Sequence, residues 1–272
     1  MRHRGHRIPT TWVREQGPHR TGDWAPRHVA IVAQWSRQPV VSRSLSTLIT
    51  QLSEHGHEII VVSACESPAR LRWPYGLPPD ATVYRRPNVG HDFGSWATAL
   101  RQLPGLTQAE RVLMINDSLV GPFRPLTPEL EAMTTASADV WGLATSLQSG
   151  RHLQTFFLAF QGGCLSEPAL RAFWRGVRAH DTKWDTVVHN ELGLARLLHA
   201  EKFTTQSAYE ALPGFANSTI DGWQALLEIG FPFVKRMLVA DDSFEHVSFR
   251  VTQAEVGMAV RDAFGTELGD WL

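Results

Sequence analysis

Short apolar runs that alternate with helical stripes are the feature of this sequence that most constrains its fold. The runs at 28–36 (HVAIVAQWS) and 57–64 (HEIIVVSA) have the length and composition of buried strands. The segment between them repeats apolar residues at the i, i+3, i+4 and i+7 spacing of one helix face, with Ser42 to cap its start and Gly56 after its end. Because such crossovers are right-handed, this β-α-β unit predicts two parallel strands.

The same alternation continues to about residue 200. Further strands are predicted at 81–88, 111–117 and 139–146, another apolar run lies at 152–165, and further helices are predicted at 93–105, 127–137, 166–180 and 182–203. The periodicity fades over 214–272, where 231–239 (FPFVKRMLV) is expected to be an edge strand or a docking segment. Strands that alternate with helices predict a single α/β domain, in which helices flank both faces of a mainly parallel, twisted sheet.

The N-terminal 27 residues are expected to form a flexible basic arm, and residues 28–272 the folded domain. The arm holds six Arg and two acidic residues, without the apolar run of a secretory signal. No stretch of the chain approaches the roughly 20 apolar residues of a membrane span. We therefore expect a cytoplasmic protein. An alternative for the arm is weak contact with a partner enzyme or with anionic lipid at the inner face of the membrane.

Charge and cysteine content exclude other classes. With 26 Lys and Arg against 27 Asp and Glu, the chain lacks the basic excess of a nucleic-acid-binding protein, so no nucleic-acid partner is expected. Cys65 and Cys164 do not have a metal-ligand spacing, and a reducing compartment fits them best; a disulfide between them is the alternative.

The first motif of interest is RPNVGHDFGSW at 86–96, between a predicted strand and a predicted helix. Ligands of open α/β sheets bind beyond the carboxyl ends of the strands. Gly90 and Gly94 would let the backbone approach a ligand, and free amides at the helix start can hold an anion such as a diphosphate. His91 could reach a phosphate or lie solvated in the loop. A purely local alternative is that Asp92 caps the helix, with a serine three residues on.

The second motif is LMINDSLVGPF at 113–123, in which a hydrophobic strand ends in Asn116, Asp117 and Ser118. A carboxylate at this position can hold a divalent cation that bridges two phosphates, since hard oxygen ligands suit Mg²⁺ or Mn²⁺. We therefore predict Asp117 as a metal ligand. The alternative is an Asx-turn before the Gly-Pro break that follows.

The third candidate is Glu191, in the helix predicted at 182–203. It lies seven residues after Trp184, on the apolar stripe of that helix. A carboxylate facing a core needs a partner or a cavity, and partial burial would raise its pKa toward that of a base working near neutral pH. A buried ion pair and a rotated helix that wets this position are the alternatives. Asp185 is the reserve candidate for the base.

Taken together, these motifs resemble the rhamnan-synthesis F family of bacterial polysaccharide glycosyltransferases, which is similar to the wider GT-A class. The supporting residues are Asn88, Gly90, Asp92, Phe93 and Gly94; Asn116, Asp117, Ser118, Gly121 and Pro122; 139–142; 152–160; Glu191, Leu192 and Gly193; and 230–238. This ordered series covers roughly residues 28–240.

The resemblance implies a GT-A-like fold, a nucleotide-sugar donor, a growing glycan acceptor and, from the family name, rhamnose as the transferred sugar. Predicted donor-binding residues are Asn88, Gly90, His91, Asp92, Gly94, Asn116 and Ser118, and predicted catalytic residues are Glu191 and Asp117. Residues 116–118 stand where GT-A enzymes usually carry Asp-x-Asp, but the first and third positions here are Asn and Ser. This departure leaves the divalent cation an open expectation.

The expected reaction is an inverting displacement in which Glu191 takes the proton of the acceptor hydroxyl. Two other classes stay open. One is a carbohydrate-binding or scaffold protein without catalysis, and the other is a metal-dependent phosphoester hydrolase that uses Asp117 and Asp92.

Overall fold

The parallel centre of the sheet is formed around a buried strand of seven residues, β3. The structure, a computed structural model, describes residues 5–239 and 251–272, so residues 1–4 of the predicted arm and 240–250 of the predicted domain lie outside the described residues. The strands are β1 (His6–Arg7), β2 (Val13–Gln16), β3 (His28–Gln34), β4 (Glu58–Ser63), β5 (Thr82–Arg85), β6 (Arg111–Asn116), β7 (Leu119–Val120), β8 (Val140–Ser146), β9 (His152–Leu153), β10 (Phe157–Gln161), β11 (Arg178–Ala179), β12 (Thr205–Tyr209) and β13 (Val234–Lys235). The α-helices are α1 (Arg43–Glu54), α2 (His91–Gln102), α3 (Thr127–Thr135), α4 (Pro168–Gly176), α5 (Lys183–Thr186), α6 (Leu192–Ala200), α7 (Trp223–Glu228) and α8 (Gln253–Phe264).

The central sheet is mixed but largely parallel. Its order in the described chain is β12-β8-β10-β6-β3-β4-β5-β2, with β9 beside β8. Strand β3 pairs in parallel with β4 and β6, and β5 continues the parallel set beyond β4. Strand β10 runs antiparallel to both β6 and β8, and β2 runs antiparallel to β5. The α/β class and the parallel β3–β4 unit predicted from the sequence are confirmed, with β10 and β2 as antiparallel additions.

Alternate side chains of β3 fill two separate cores. Val29 and Ile31 pack beneath α2, whereas Ala30 and Val32 pack beneath α1. A parallel strand buried in this way needs a cover on both faces, and the two helices supply it. Trp96 fixes α2 to the sheet, because its indole N–H lies 3.2 Å from the carbonyls of both β3 and β6.

Helix α1 follows the sequence prediction closely. The Ser42 hydroxyl accepts from the Leu45 amide at the helix start, and Gly56 adopts a left-handed φ of 84° after its end. The predicted apolar stripe is buried against the sheet. None of the described helices combines the length and the apolar composition that crossing a lipid bilayer requires.

Residues 5–27 depart from the expectation of a flexible arm. Strand β2 pairs with β5, and β1 pairs with β11. Ile8 is only 1% exposed, Trp12 stacks on Tyr84 with ring centroids 3.7 Å apart, and Glu15 forms an ion pair with Arg85 at 2.9 Å. These contacts extend the sheet edge and cover α2, so the segment is part of the folded domain.

The first prediction tests this packing. Ile8→Ala is expected to lower the free energy of unfolding by about 2–5 kcal/mol, because it removes a fully buried side chain and leaves a cavity. The matched control is Val13→Ala on the same segment, where the side chain is 71% exposed and the expected change stays within about 0.5 kcal/mol. Urea unfolding of both variants measures the difference. If Ile8→Ala lowers the free energy of unfolding as little as Val13→Ala does, the segment does not contribute to stability.

Candidate functional site

Polar residues from several strands meet at one edge of the sheet. Strands β3 to β6 are parallel, so their carboxyl ends share this edge. Gln34 and Ser63 lie there, and the Ser63 hydroxyl donates to the Gln34 side chain at 2.6 Å. Because β10 is antiparallel, the residues just before it, including Thr155, join the same edge. The chain therefore concentrates polar groups where ligands of α/β sheets bind.

Asp117 follows β6 at the centre of this edge. Its Oδ2 accepts from the Trp35 amide at 2.9 Å, and Arg236 Nε donates to the Asp117 backbone carbonyl at 2.9 Å. Burial raises the pKa of the Asp117 carboxyl to about 7; Arg236 opposes the rise and Asp92 adds to it. A carboxylate with incomplete compensation of this kind is typical of functional sites.

Asn116 joins the two motifs that the sequence singled out. Its Nδ2 donates to Asp92 Oδ2 at 2.6 Å, and its Oδ1 accepts from the amide and the hydroxyl of Ser118 at 3.1 and 2.6 Å. The contact with the Ser118 amide is the Asx-turn weighed as the local alternative. The alternative prediction that Asp92 caps helix α2 was wrong. Gly90 occupies the N-cap position, and Asp92 accepts a hydrogen bond from Asn116 instead.

The two glycines of the first motif make room for the protein itself. A Cβ on Gly90 would lie 2.8 Å from Cδ1 of Ile8, and Gly90 adopts a left-handed φ of 82°. A Cβ on Gly94 would lie 2.3 Å from the Val89 carbonyl and about 3 Å from the Arg86 guanidinium. Close packing inside the protein therefore explains both glycines, and their donor-binding role stays a prediction.

The remaining predicted donor residues lie on the surface of the same loop. Asn88 and His91 are exposed, and His91 adopts a left-handed φ of 50° at the start of α2. Their exposure leaves both side chains accessible to a ligand at this edge.

Glu191 reaches the edge from a helix with an irregular turn. Residues Val187–Glu191 form a π-helical turn between α5 and α6, so extrapolation at 3.6 residues per turn from Trp184 fails. Trp184 is 56% exposed rather than part of an apolar stripe. Glu191 accepts from the Thr155 hydroxyl at 2.9 Å and from His152 Nε2 at 3.2 Å, and 22% of its side chain remains accessible.

The pKa of Glu191 moves in the direction opposite to the one expected. Burial by itself would raise it, but the hydrogen bond from His152, the charge of Lys235 and the hydrogen bond from Thr155 together lower it. For His152, burial would lower the pKa, and the contacts with Glu191 and the Gly150 carbonyl raise it overall. Both ring nitrogens of His152 face acceptors, which favours the imidazolium form. Glu191 is thus an ionised, paired carboxylate, as in the buried ion pair weighed as an alternative.

Two cations that sequence reasoning missed lie near the two carboxylates. The Arg236 amide donates to the Ser118 carbonyl at 2.7 Å, beside Asp117. The Lys235 ammonium lies 4.2 Å from the centroid of the Phe156 ring and acts on the pKa of Glu191. The predicted edge strand does form here, as β13 against β7. Its Lys-Arg pair, after an apolar run, was the signal for these two residues.

The residues around Asp117 decide how a metal ion could be held at this edge. No three His, Cys, Asp or Glu side chains come together in the described part of the chain so as to hold a metal ion. Around Asp117, the Asn116 amide oxygen is committed to Ser118, and the nearby charge of Arg236 is positive. Metal ligation by Asp117 stays a prediction, and the positive charge that the structure brings to this edge comes from side chains.

The residues that form this edge lie within a segment that matches a known protein family. The family described as rhamnan synthesis protein F matches residues 80–256, which include both motifs, Glu191 and the Lys-Arg pair. The chain belongs to the rhamnan synthesis protein F family. The description of this family indicates a role in polysaccharide synthesis.

Curated relatives are distant. The chain is 26% identical over 192 residues to "Virulence protein VirA" of Vibrio anguillarum, a match that covers 58% of this chain and 62% of the relative. It is 22% identical over 154 residues to "Uncharacterized protein y4gN" of Sinorhizobium fredii, covering 54% of this chain and 40% of that protein. The chain thus spans less than two thirds of the length of either relative.

The raised pKa of Asp117 generates a prediction about pH. In the folded state the carboxyl holds its proton up to about pH 7, whereas its ordinary pKa is 3.8. The contribution of Asp117 to the free energy of unfolding is therefore greatest below pH 3.8 and is lost as the pH rises through about 7. Asp117→Asn cannot ionise, so its melting temperature relative to the parent should rise from about pH 4 to about pH 8.

Thermal melts of parent and variant across this range measure the effect, and Asp185→Asn controls for the loss of one negative charge. A melting-temperature difference between parent and Asp117→Asn that does not vary with pH would show that Asp117 ionises normally in the folded protein.

Proposed function

We propose that this protein is a GT-A-like glycosyltransferase that moves a sugar from a nucleotide-sugar donor to a growing bacterial polysaccharide, with rhamnose as the sugar that the family description favours. The observation that carries the proposal is that two acidic and two basic side chains lie near one another at one sheet edge. Asp117 lies beside Arg236, and Glu191 lies within the field of Lys235.

The donor binds across the carboxyl ends of β3 to β6 in this proposal. Its diphosphate lies at the start of α2, where backbone amides and the helix dipole favour an anion. Trp35 follows β3 beside Asp117 and is 41% exposed, so its ring offers a face on which a nucleotide base can stack. Asn88 and His91 line the same entrance.

The transfer is an inverting displacement in this proposal. The acceptor hydroxyl attacks the anomeric carbon and gives its proton to Glu191, while the bond from that carbon to the diphosphate oxygen breaks. The diphosphate leaves with the bonding electrons, and Arg236, Lys235 and the amides of α2 stabilise its charge. Such catalysis depends on positioning and on preorganised charge.

Glu191 suits the role of base in two respects. It is ionised, since its pKa is lowered, and part of its side chain is accessible. Each carboxylate oxygen has one described partner, which leaves a second lone pair for the acceptor. The His152 partner orients the carboxylate, although it also reduces its basicity.

A direct test of the donor is a thermal-shift series with uridine, thymidine and guanosine diphosphates, each with Mn²⁺ and with EDTA. A nucleotide present at 100 times its Kd is expected to add about 2.7 kcal/mol of stability. Equal shifts with Mn²⁺ and EDTA are expected if the side-chain cations suffice. No shift with any of the three would argue against a nucleotide-sugar donor among them, and a shift without sugar transfer would favour the carbohydrate-binding alternative.

Glu191→Gln is the prediction for the base. The variant keeps the shape of the side chain but cannot accept a proton, so the single-turnover rate should fall by about 10²–10⁴-fold while donor affinity stays the same. The matched control is Asp185→Asn, since the hydrogen bonds that Asp185 makes within the described residues are local, to Thr182, at the start of α5.

A Glu191→Gln variant that melts earlier yet turns over normally would make Glu191 a structural partner of His152. Loss of turnover in Asp185→Asn alone would move the base to the reserve candidate.

A further inference from the structure

Arg86 is a buried cation with neutral partners. It is 5% exposed, although it lies immediately after β5 at the functional edge. Its Nη1 donates to the Ser95 hydroxyl at 3.2 Å and its Nη2 to the Val89 carbonyl, while Nε is buried with no partner among the described residues. Burial lowers the pKa of the guanidinium to about 10. Two of its five N–H groups are therefore used, and neither bond is to a carboxylate.

Other arginines of this chain show what the usual compensation is. Arg124 donates to both oxygens of Glu129, a carboxylate that is 4% exposed, and Arg85 pairs with Glu15. A buried charge without such a partner is costly. Burying Arg86 therefore costs free energy that its contacts with the described residues do not offset.

The guanidinium lies against the first turn of α2. A Cβ on Gly94 would be 3.1 and 3.3 Å from the two terminal nitrogens of Arg86, which shows that the guanidinium lies directly against this turn. The helix has 12 residues, and its N-cap, Gly90, provides no side-chain cap for the free amides. Asp92 is the acidic residue of this turn, and Asn116 donates to its Oδ2 on the side of β6.

The helix dipole and Arg86 therefore place positive charge at the same point of the edge. The partial charge at the start of a helix is roughly half a unit and acts over the first turn. A whole unit of charge beneath that turn, in a region of low dielectric, adds to the same field. Together they favour an anion at this point, and the carboxylate of Asp92 in the same turn opposes them.

We propose that Arg86 is a binding residue for the diphosphate of the donor, acting as the fixed positive charge beneath the first turn of α2. The inference rests on the proposed nucleotide-sugar donor. The bound diphosphate supplies the negative charge that the protein itself withholds from Arg86. Arg86 orients no reacting atom, so its contribution is to affinity for the diphosphate group whatever the base or the sugar.

The test uses inorganic pyrophosphate, which has neither base nor sugar, with the full chain. In Arg86→Met, pyrophosphate affinity measured by calorimetry should fall at least tenfold, which corresponds to about 1.4 kcal/mol. The salt dependence of binding should also weaken, because a charge has been removed. The melting temperature of the free protein should stay equal or rise, because an uncompensated buried cation is lost.

Arg124→Met is the matched control, with the reverse pattern. It should lower the melting temperature, since it leaves Glu129 buried without its cation, and keep pyrophosphate affinity. Arg86→Gln, which removes the charge and keeps a donor, repeats the test if Arg86→Met does not fold.

Two results would overturn the role of Arg86. One is a destabilised Arg86 variant that binds pyrophosphate as the parent does, and the other is failure of both variants to fold. A parent that binds neither pyrophosphate nor any nucleoside diphosphate would instead remove the donor site, and with it the proposed function.

Discussion

The double-sided burial of β3 is the constraint on which the rest of this structure depends. Its alternate side chains enter two cores, so the strand is stable only if α1 covers one face and α2 the other. Since β3 also pairs in parallel with both neighbours, the carboxyl ends of the three strands meet at one edge. The amide of Trp35, directly after β3, then lies where it can bond Asp117 after β6. The candidate site is thus a geometric consequence of how the core is covered.

Charges at this edge differ in how completely the protein compensates them. Glu191 accepts hydrogen bonds from His152 and Thr155 and lies near the charge of Lys235, and its pKa falls. The Asp117 carboxyl receives an amide hydrogen bond and the field of Arg236, which do not offset its burial, and its pKa rises. Arg86 has neutral partners in the described chain, and its pKa falls. A site whose buried charges are incompletely compensated by the protein is suited to a ligand that carries charge.

Local patterns predicted the elements whose residues contact near neighbours in sequence. Helix α1, its serine cap and β4 follow from periodicity and capping chemistry that act within a few residues. Two local expectations failed where the chain departs from the regular period or meets a distant strand. The π turn at Val187–Glu191 displaced Trp184 to the surface, and β2 gained its order from β5, about 70 residues away. Neither event leaves a mark in hydrophobic periodicity, because both depend on contacts outside the segment.

The sequence by itself determined the α/β class, the parallel centre of the sheet and the polar groups that follow β6, since these depend on local apolar runs and on the rule that such strands end together. Tertiary structure alone decided the electrostatics of the site. It brought Arg236 to Asp117 across 119 positions of the chain, and it placed His152 on Glu191 across 39. It also decided that Arg86 is buried beneath α2. The sign of a pKa shift depends on the balance between burial and partners, and that balance exists only once distant segments have packed together.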